Sequence, residues 1–329
     1  MEKHYFSKGI EKLIDPLEVG TIHFLAPYNR LLPKSIQHKI INSSGKKTPY
    51  MGFVVEPYCY FLCYEIKDLA WAQKLIPDNF QLVKAKIFDN DEPKYYGIFG
   101  CFSVHTSAFW GQRMEFYIIA EDKKTGLLSW IIVDYDTNTI SYDKKGGLFE
   151  SNCDTSVITT DFAGNVIVDV QNKTQHRHLA FSSNIENAPM QTLDQRLWIE
   201  GNLSIGYGRD VSENNSDVFS LTFDPQEVSR ALQINHQNLQ LEINTWLPGL
   251  LHEIPAQLAC FPYAQHFLAD SPGHSSSHQS LTDLQTAFTA TNFDQIPTYS
   301  TKSMKKNFVV GASIPWFIIV ILIILLLLT

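Results

Sequence analysis

Between about residues 49 and 268 the chain is made of short runs in which apolar residues either alternate with polar ones or stand unbroken. Gly, Asn or Asp separates one run from the next. "YCYFLCYEI", "YYGIFGCFSVH", "MEFYIIAE", "LLSWIIVDY", "NVIVDV", "RLWIEGNLSIGYG" and "VFSLTF" are runs of this kind. Branched and aromatic residues in such runs, bounded by turn formers, predict β-strands. A stretch of about 220 residues is enough to bury one core. The fold class expected is α+β: a mainly antiparallel, β-rich, barrel-like domain over 49–268 with a few helices, plus one helix at the C-terminal end. No period of 20 to 50 residues repeats, which argues against a solenoid or propeller.

Two boundaries refine this picture. In "SLTFDPQEVSRALQI" Asp224 is placed to cap a helix, Pro225 suits its first position and Glu227 is where a capping-box acid stands. A helix is expected there, packing through Val228, Ala231 and Leu232. In "IIVDYDTNTISYD" two strand-like runs flank Asp136, Thr137 and Asn138, which predicts a hairpin. Residues 1–48 form a leader with helical pieces in "SKGIEKLI" and "PKSIQHKII". Residues 269–306 turn to Ser, Thr, Gln and His and predict a polar linker or stalk.

From Phe308 to Thr329 the chain has no Asp, Glu, Lys, Arg or His, and Ile318 to Leu328 is wholly aliphatic. A helix of about 22 residues rises about 33 Å, near the thickness of a bilayer's hydrocarbon. Residues 307–329, with Phe308, Trp316 and Leu325 as representative contacts, are therefore expected to be a transmembrane anchor. Lys302, Lys305 and Lys306 precede it as a juxtamembrane basic cluster. The chain then reads as a tail-anchored, single-pass membrane protein, with the lipid bilayer as a partner and the large domain in the cytoplasm.

Composition narrows the alternatives. A net charge of -8 without a large basic block argues against nucleic acid as a partner. Five cysteines, widely spaced, form neither a paired framework nor a zinc ligand set, and reduced, buried thiols are expected. The N-terminus lacks the apolar core of a signal peptide. Sequons at Asn42, Asn172, Asn202 and Asn214 are short motifs that arise by chance in an Asn- and Ser-rich chain.

The stretch "PYCYFLCYEIKDLAWAQKLIPDNFQLVKAKIF", a strand, a short helix ending in Leu-Ile-Pro and another strand, continues in "YYGIFGCFSVHTSAFWGQRMEFYIIA". Over about residues 49–150 this order resembles the acetoacetate decarboxylase-like family. The resemblance implies a cone-shaped, largely antiparallel barrel around a pocket, and a lysine that forms a Schiff base with a keto acid. The family lysine lies in a Tyr-Pro-Lys-Lys type segment, matched here by Tyr142, Lys144 and Lys145, with Asp143 in place of the proline. No counterpart of the family's helical Gly-Arg-Glu segment, or of its pocket Arg and Glu, is recognised. A Schiff-base lysine must be neutral to attack, and a neighbouring cation lowers its pKa. Lys144 and Lys145 could serve each other in this way, though "YDKKGG" also reads as an ordinary exposed loop.

Other chemistry is sparse. His176 and His178 would share one side of a strand but lack further ligands, His274 and His278 lie in a Ser-rich stretch, and His252-Glu253 is not followed by a second His at the required spacing. No serine elbow, phosphate loop or dinucleotide fingerprint occurs, Ser204 lying in a strand-like run. No metal or cofactor is expected. The aromatics Trp110, Trp130 and Trp198 suit a core or a cavity lining. The function expected is a membrane-tethered domain that binds a small molecule or lipid. The alternatives are a Schiff-base keto-acid decarboxylase-like enzyme and a membrane-tethered adaptor.

Overall fold

The computed structural model describes residues 4–39, 49–143, 147–149, 151–208, 218–270, 276–298, 320–321 and 323–325. Two helices open the chain, α1 (Tyr5–Lys12) and α2 (Pro16–Asn29), the second capped by the Asp15 carboxylate on the Leu17 N–H; a third, α3, covers 34–39. The first strands are β1 (Tyr50–Val55), β2 (Cys59–Glu65), β3 (Phe80–Leu82), β4 (Tyr96–Thr106), β5 (Trp110–Asp122) and β6 (Leu128–Thr137), with α4 (Leu69–Leu75) between β2 and β3. There follow β7 (Ser141–Asp143), β8 (Gly147–Phe149), β9 (Thr155–Thr160), β10 (Asn165–Asn172), β11 (Arg177–Asn184) and β12 (Met190–Thr192), then α5 (Gln195–Trp198). The last are β13 (Ile205–Tyr207), β14 (Val218–Phe219), β15 (Leu221–Phe223), β16 (Arg230–Gln233), β17 (Leu239–Asn244), β18 (Gln257–Phe261) and β19 (Gln265–Asp270), then α6 (Leu281–Ala290).

Strand pairing closes the main sheet into a ring. β4 pairs with β5, β5 with β6, β6 with β13 and β13 with β14; Ser220 links β14 to β15, which pairs with β19, and β19 pairs with β1, which returns to β4. These ring pairings are antiparallel except β6 with β13. β2, β18, β16 and β12 continue the sheet from the other part of β4. A second sheet, β17-β11-β10-β9, lies outside. β10 buries every second residue, Val166, Val168 and Val170, in the same cluster as Met114, Phe116 and Ile118 of β5. The opposite face of β5 meets the inner cluster, which contains Phe61, Trp130, Trp198 and Phe261.

A single irregularity sets which residues of β6 face inward. Phe116 stands opposite Asp134 and Tyr117 opposite Ile132, so Val133 is an extra residue in β6. Before it Trp130 and Ile132 face the inner cluster; after it Tyr135 does, which an unbroken alternation would have turned outward. Asp136, opposite Met114, takes the outer face toward β10.

Several expectations are corrected. The helix expected after Asp224 is one 3-10 turn, Pro225–Val228, because residues 230–233 pair with β12 and β18 as β16. Asp224 does cap it through Gln226 N–H, but Glu227 turns away to bond His266. The hairpin expected around residues 136–138 does not form, since β7 pairs with β8 and β6 with β5 and β13. Within the polar stretch 269–306, Ser280 caps α6, and Leu284 and Phe293 are buried.

The transmembrane helix expected over 307–329 is corrected as well. Among the described residues no helix is long and apolar enough to cross a membrane, which takes about 20 continuous residues. Of the expected span only residues 320, 321 and 323–325 are described, as helix, with Leu325 56% exposed. Phe308, Trp316, Lys302, Lys305 and Lys306 lie outside the described residues. The readings built on that span are withdrawn: the tail-anchored single-pass protein, its lipid-binding role at a membrane and its cytoplasmic placement. The fold class that stands is a β-rich domain with few helices.

Candidate site inside the barrel

Along β5 the inward positions Arg113, Glu115 and Tyr117 interrupt an apolar strand with three polar side chains in a row. Arg113 donates to Glu115 Oε1 from Nε at 2.9 Å and from Nη2 at 2.6 Å. The Tyr117 hydroxyl donates to Oε2, so both carboxylate oxygens are engaged. The guanidinium also lies over the Tyr135 ring, 4.5 Å from its centroid, the stacking made available by the extra residue in β6. Gly100 stands across from Glu115 on β4, and a Cβ there would come within 3.1 Å of the Tyr117 ring and 3.0 Å of Phe61. Its missing side chain lets those rings close around the carboxylate.

Arg113 and Glu115 are 9% and 7% exposed, so the pair is held away from bulk water. Burial opposes the Arg113 charge, but Glu115 and the phenols of Tyr135 and Tyr207 outweigh it, and the guanidinium's pKa is raised. Burial, then Glu115, pushes the Tyr117 phenol well up, keeping it a proton donor. The Cys59 thiol is likewise pushed up, by burial first, then by Cys260, Cys101 and Glu115.

Aromatic rings wall this polar row. Phe61 meets Trp198 edge-on with centroids 5.0 Å apart, Tyr117 meets Trp130 at 5.2 Å, and Trp198 meets Phe261 at 5.2 Å. The indole N–H groups are satisfied by backbone, Trp130 to Leu197 O and Trp198 to Ile87 O. The rings therefore present apolar surface, and Arg113 and Glu115 supply charge beside it. In such surroundings a fixed charge acts strongly on whatever lies beside it.

A second polar place lies outside the barrel, a cleft of about 690 Å³ whose walls include Asp134, Asn152, Cys153, Asn172 and Arg177. Arg177 pairs with Asp134 at 2.7 Å and stacks over Trp246 at 4.3 Å. Asp136, fully buried, accepts from Asn172 Nδ2 at 2.7 Å through one oxygen, while Oδ2 has no hydrogen-bond partner among the described residues. Burial raises its pKa.

The residues singled out from the sequence fare differently. Lys144 and Lys145 lie outside the described residues. His178 pairs with Asp169 at 2.9 Å, whereas His176 sits in a left-handed turn, so no shared metal site is formed by them. His252 is exposed, His274 lies outside the described residues, and His278 meets Thr222 Oγ1 at 3.0 Å. Ser204 is buried, its carbonyl taken by the Ser129 hydroxyl. Trp130 and Trp198 are core and Trp110 is 42% exposed. Arg113 and Glu115 were not recognised as site residues, although "RMEFY" carries the signal: polar groups on alternate positions of a run otherwise fit for burial.

No family model matches the chain, and no curated protein matches it. Among solved structures, the crystal structure of acetoacetate decarboxylase from Legionella pneumophila is similar, with 10% identity and a TM-score of 0.44 over 68% of this chain and 87% of that one.

Proposed function

We propose that the chain is a Schiff-base lyase acting on a small keto acid inside the barrel. The observation that supports the reading best is the buried Arg113–Glu115–Tyr117 row among aromatic rings. Desolvating such a pair costs several kcal/mol per ion before attraction offsets it, and buried ionisable groups of this kind gather at functional sites. Lys144 or Lys145 supplies the amine. Its neutral form adds to the keto carbon and water leaves, giving an iminium that accepts the electron pair released when carbon dioxide departs. In this reading Tyr117, held by Glu115, donates the proton to that carbon, Arg113 fixes the Glu115 carboxylate, and water then hydrolyses the resulting iminium to release the product and free the lysine.

The test is reductive trapping. The full chain is incubated with a 3-keto acid and borohydride and its intact mass measured, beside Lys144→Ala, Lys145→Ala and the double variant. A single adduct formed by the native protein and lost in one lysine variant is expected. No adduct above the level of the denatured chain, or an adduct undiminished in the double variant, overturns the reading. Glu115→Gln should bind but turn over at least about 100-fold more slowly.

A further inference from the structure

His266 on β19 and His105 on β4 flank Val54 of β1, each paired with it in register on opposite sides. α1 crosses above, burying Phe6, Ile10 and Leu13 in a cluster with Val54, Leu268 and Phe293. Its Glu11 meets the Nε2 atoms of both rings, with Oε2 3.4 Å from His105 and Oε1 3.8 Å from His266. The Nδ1 atoms face other carboxylates, His105 meeting Glu56 at 2.5 Å and His266 meeting Glu227 at 3.0 Å. Glu227 also accepts from the His266 backbone N–H at 2.6 Å and from the Ser7 hydroxyl of α1 at 3.2 Å. The sequence Glu56, His105, Glu11, His266, Glu227 is thus an unbroken chain of alternating carboxylates and imidazoles from the barrel, through α1, and back to the barrel.

We propose that α1 is a proton-controlled latch: it is held while His266 carries protons on both ring nitrogens and loosens when one is lost. An ionised carboxylate only accepts, and a neutral imidazole has one N–H. His266 bonds Glu227 through Nδ1, and its Nε2, 3.8 Å from Glu11, faces that carboxylate as an ion pair only when the ring is doubly protonated. After deprotonation one carboxylate faces a bare ring nitrogen, and Glu11, Glu56 and Glu227 are left with less positive charge among them. The groups around His266 are Glu227 from the 3-10 turn, Glu11 and Ser7 from α1, Glu56 after β1 and His105 across Val54.

The pKa follows the geometry. Burial opposes the His266 charge, but Glu227, Glu11 and Glu56 outweigh it and raise the pKa above 6.5. A raised histidine stabilises the folded contact fully below its unfolded pKa, and the contribution is lost as pH rises through the folded value. The latch is therefore closed on the acid side and opens on the alkaline side. Opening frees α1 from the Val54–Leu268 surface and from Phe293, whose ring fills the space a Cβ at Gly9 would occupy. This inference does not depend on the lyase reading.

Amide hydrogen exchange of the full chain from pH 6 to pH 9, corrected for the intrinsic rate, tests it. Protection of Tyr5–Lys12 relative to β5 should fall above the raised pKa, by up to about tenfold per pH unit for one linked proton. Glu11→Gln, at a half-exposed position that folding tolerates, should begin less protected and lose most of the slope; His266→Gln should do the same. Constant protection across the range, an equal fall in β5, or the native slope retained in Glu11→Gln would each overturn the latch.

Discussion

Arg113 and Glu115 stand two residues apart on one strand, and their charges meet at 2.6 Å inside an aromatic shell. Neighbours at this spacing point the same way from a strand, so the pairing is local, and it needs only that the strand's inner face be buried. What holds the guanidinium in place is less local: Tyr135 reaches it only through the extra residue in β6. The pair should be intolerant of single removal. Glu115→Leu leaves Arg113 buried and uncompensated and should cost about 3–5 kcal/mol in urea unfolding. Combining it with Arg113→Met should restore much of that loss. Single variants within about 0.5 kcal/mol of the native protein would mean that the pair is hydrated.

Asp136 should behave in the opposite sense. Burial raises its pKa above 3.8, so the folded state holds this proton more tightly than the unfolded one. Its contribution is greatest at low pH and is lost as pH rises from 3.8 through the folded value. Asp136→Asn retains an oxygen for Asn172 and removes the charge. The variant should equal or exceed the native protein in stability at pH 7, its advantage shrinking toward pH 4; urea melts at several pH values would show an unchanged difference if the site were solvated.

The thiols offer a map of local opening. Cys59, Cys63, Cys101 and Cys260 are buried, and Cys153 is partly exposed on the outer cleft. Iodoacetamide at pH 8 should modify Cys153 first, with the other four slower by at least about 1,000-fold if they react only through global unfolding of about 5 kcal/mol. Peptide mass spectrometry over time distinguishes this from uniform labelling.

The segment leading into α6 carries an acid-sensitive contact. His278 bonds Thr222 through its ring and Leu203 O through its backbone N–H, and burial lowers its pKa despite Asp283 and Asp270. Stability from this neutral ring is present above 6.5 and lost as pH falls through the lowered value. Protection of α6 should therefore drop at pH 5, the reverse of α1, and His278→Gln should flatten the response.

Much of the fold was legible because burial and strand period coincide. The runs "YYGIFGCFSVH", "MEFYIIAE" and "LLSWIIVDY" fall within β4, β5 and β6, apart from residues at their ends. Legibility failed where pairing over long distances decided the outcome. Residues 230–233 have helical spacing, yet sheet hydrogen bonds to β12 and β18 claimed them. The site was hidden for a related reason. Arg113 and Glu115 look like the polar half of an alternating strand, and only the closed ring makes their face an interior. The chain Glu11, His105, His266 and Glu227 draws on residues scattered from one end of the protein to the other, with no local spacing to announce it.

The seam of the ring has a consequence for synthesis. β1 needs β19 along its full length, and α1 seats against Phe293. A ribosome releases α1 and β1 early, while their partners are still untranslated. Through most of elongation the nascent chain must carry an apolar strand with one edge unpaired, a target for holdase chaperones and for pairing with neighbouring chains. Stalling or truncation before Phe293 should thus be far more damaging to yield than its distance from the interior charges would imply.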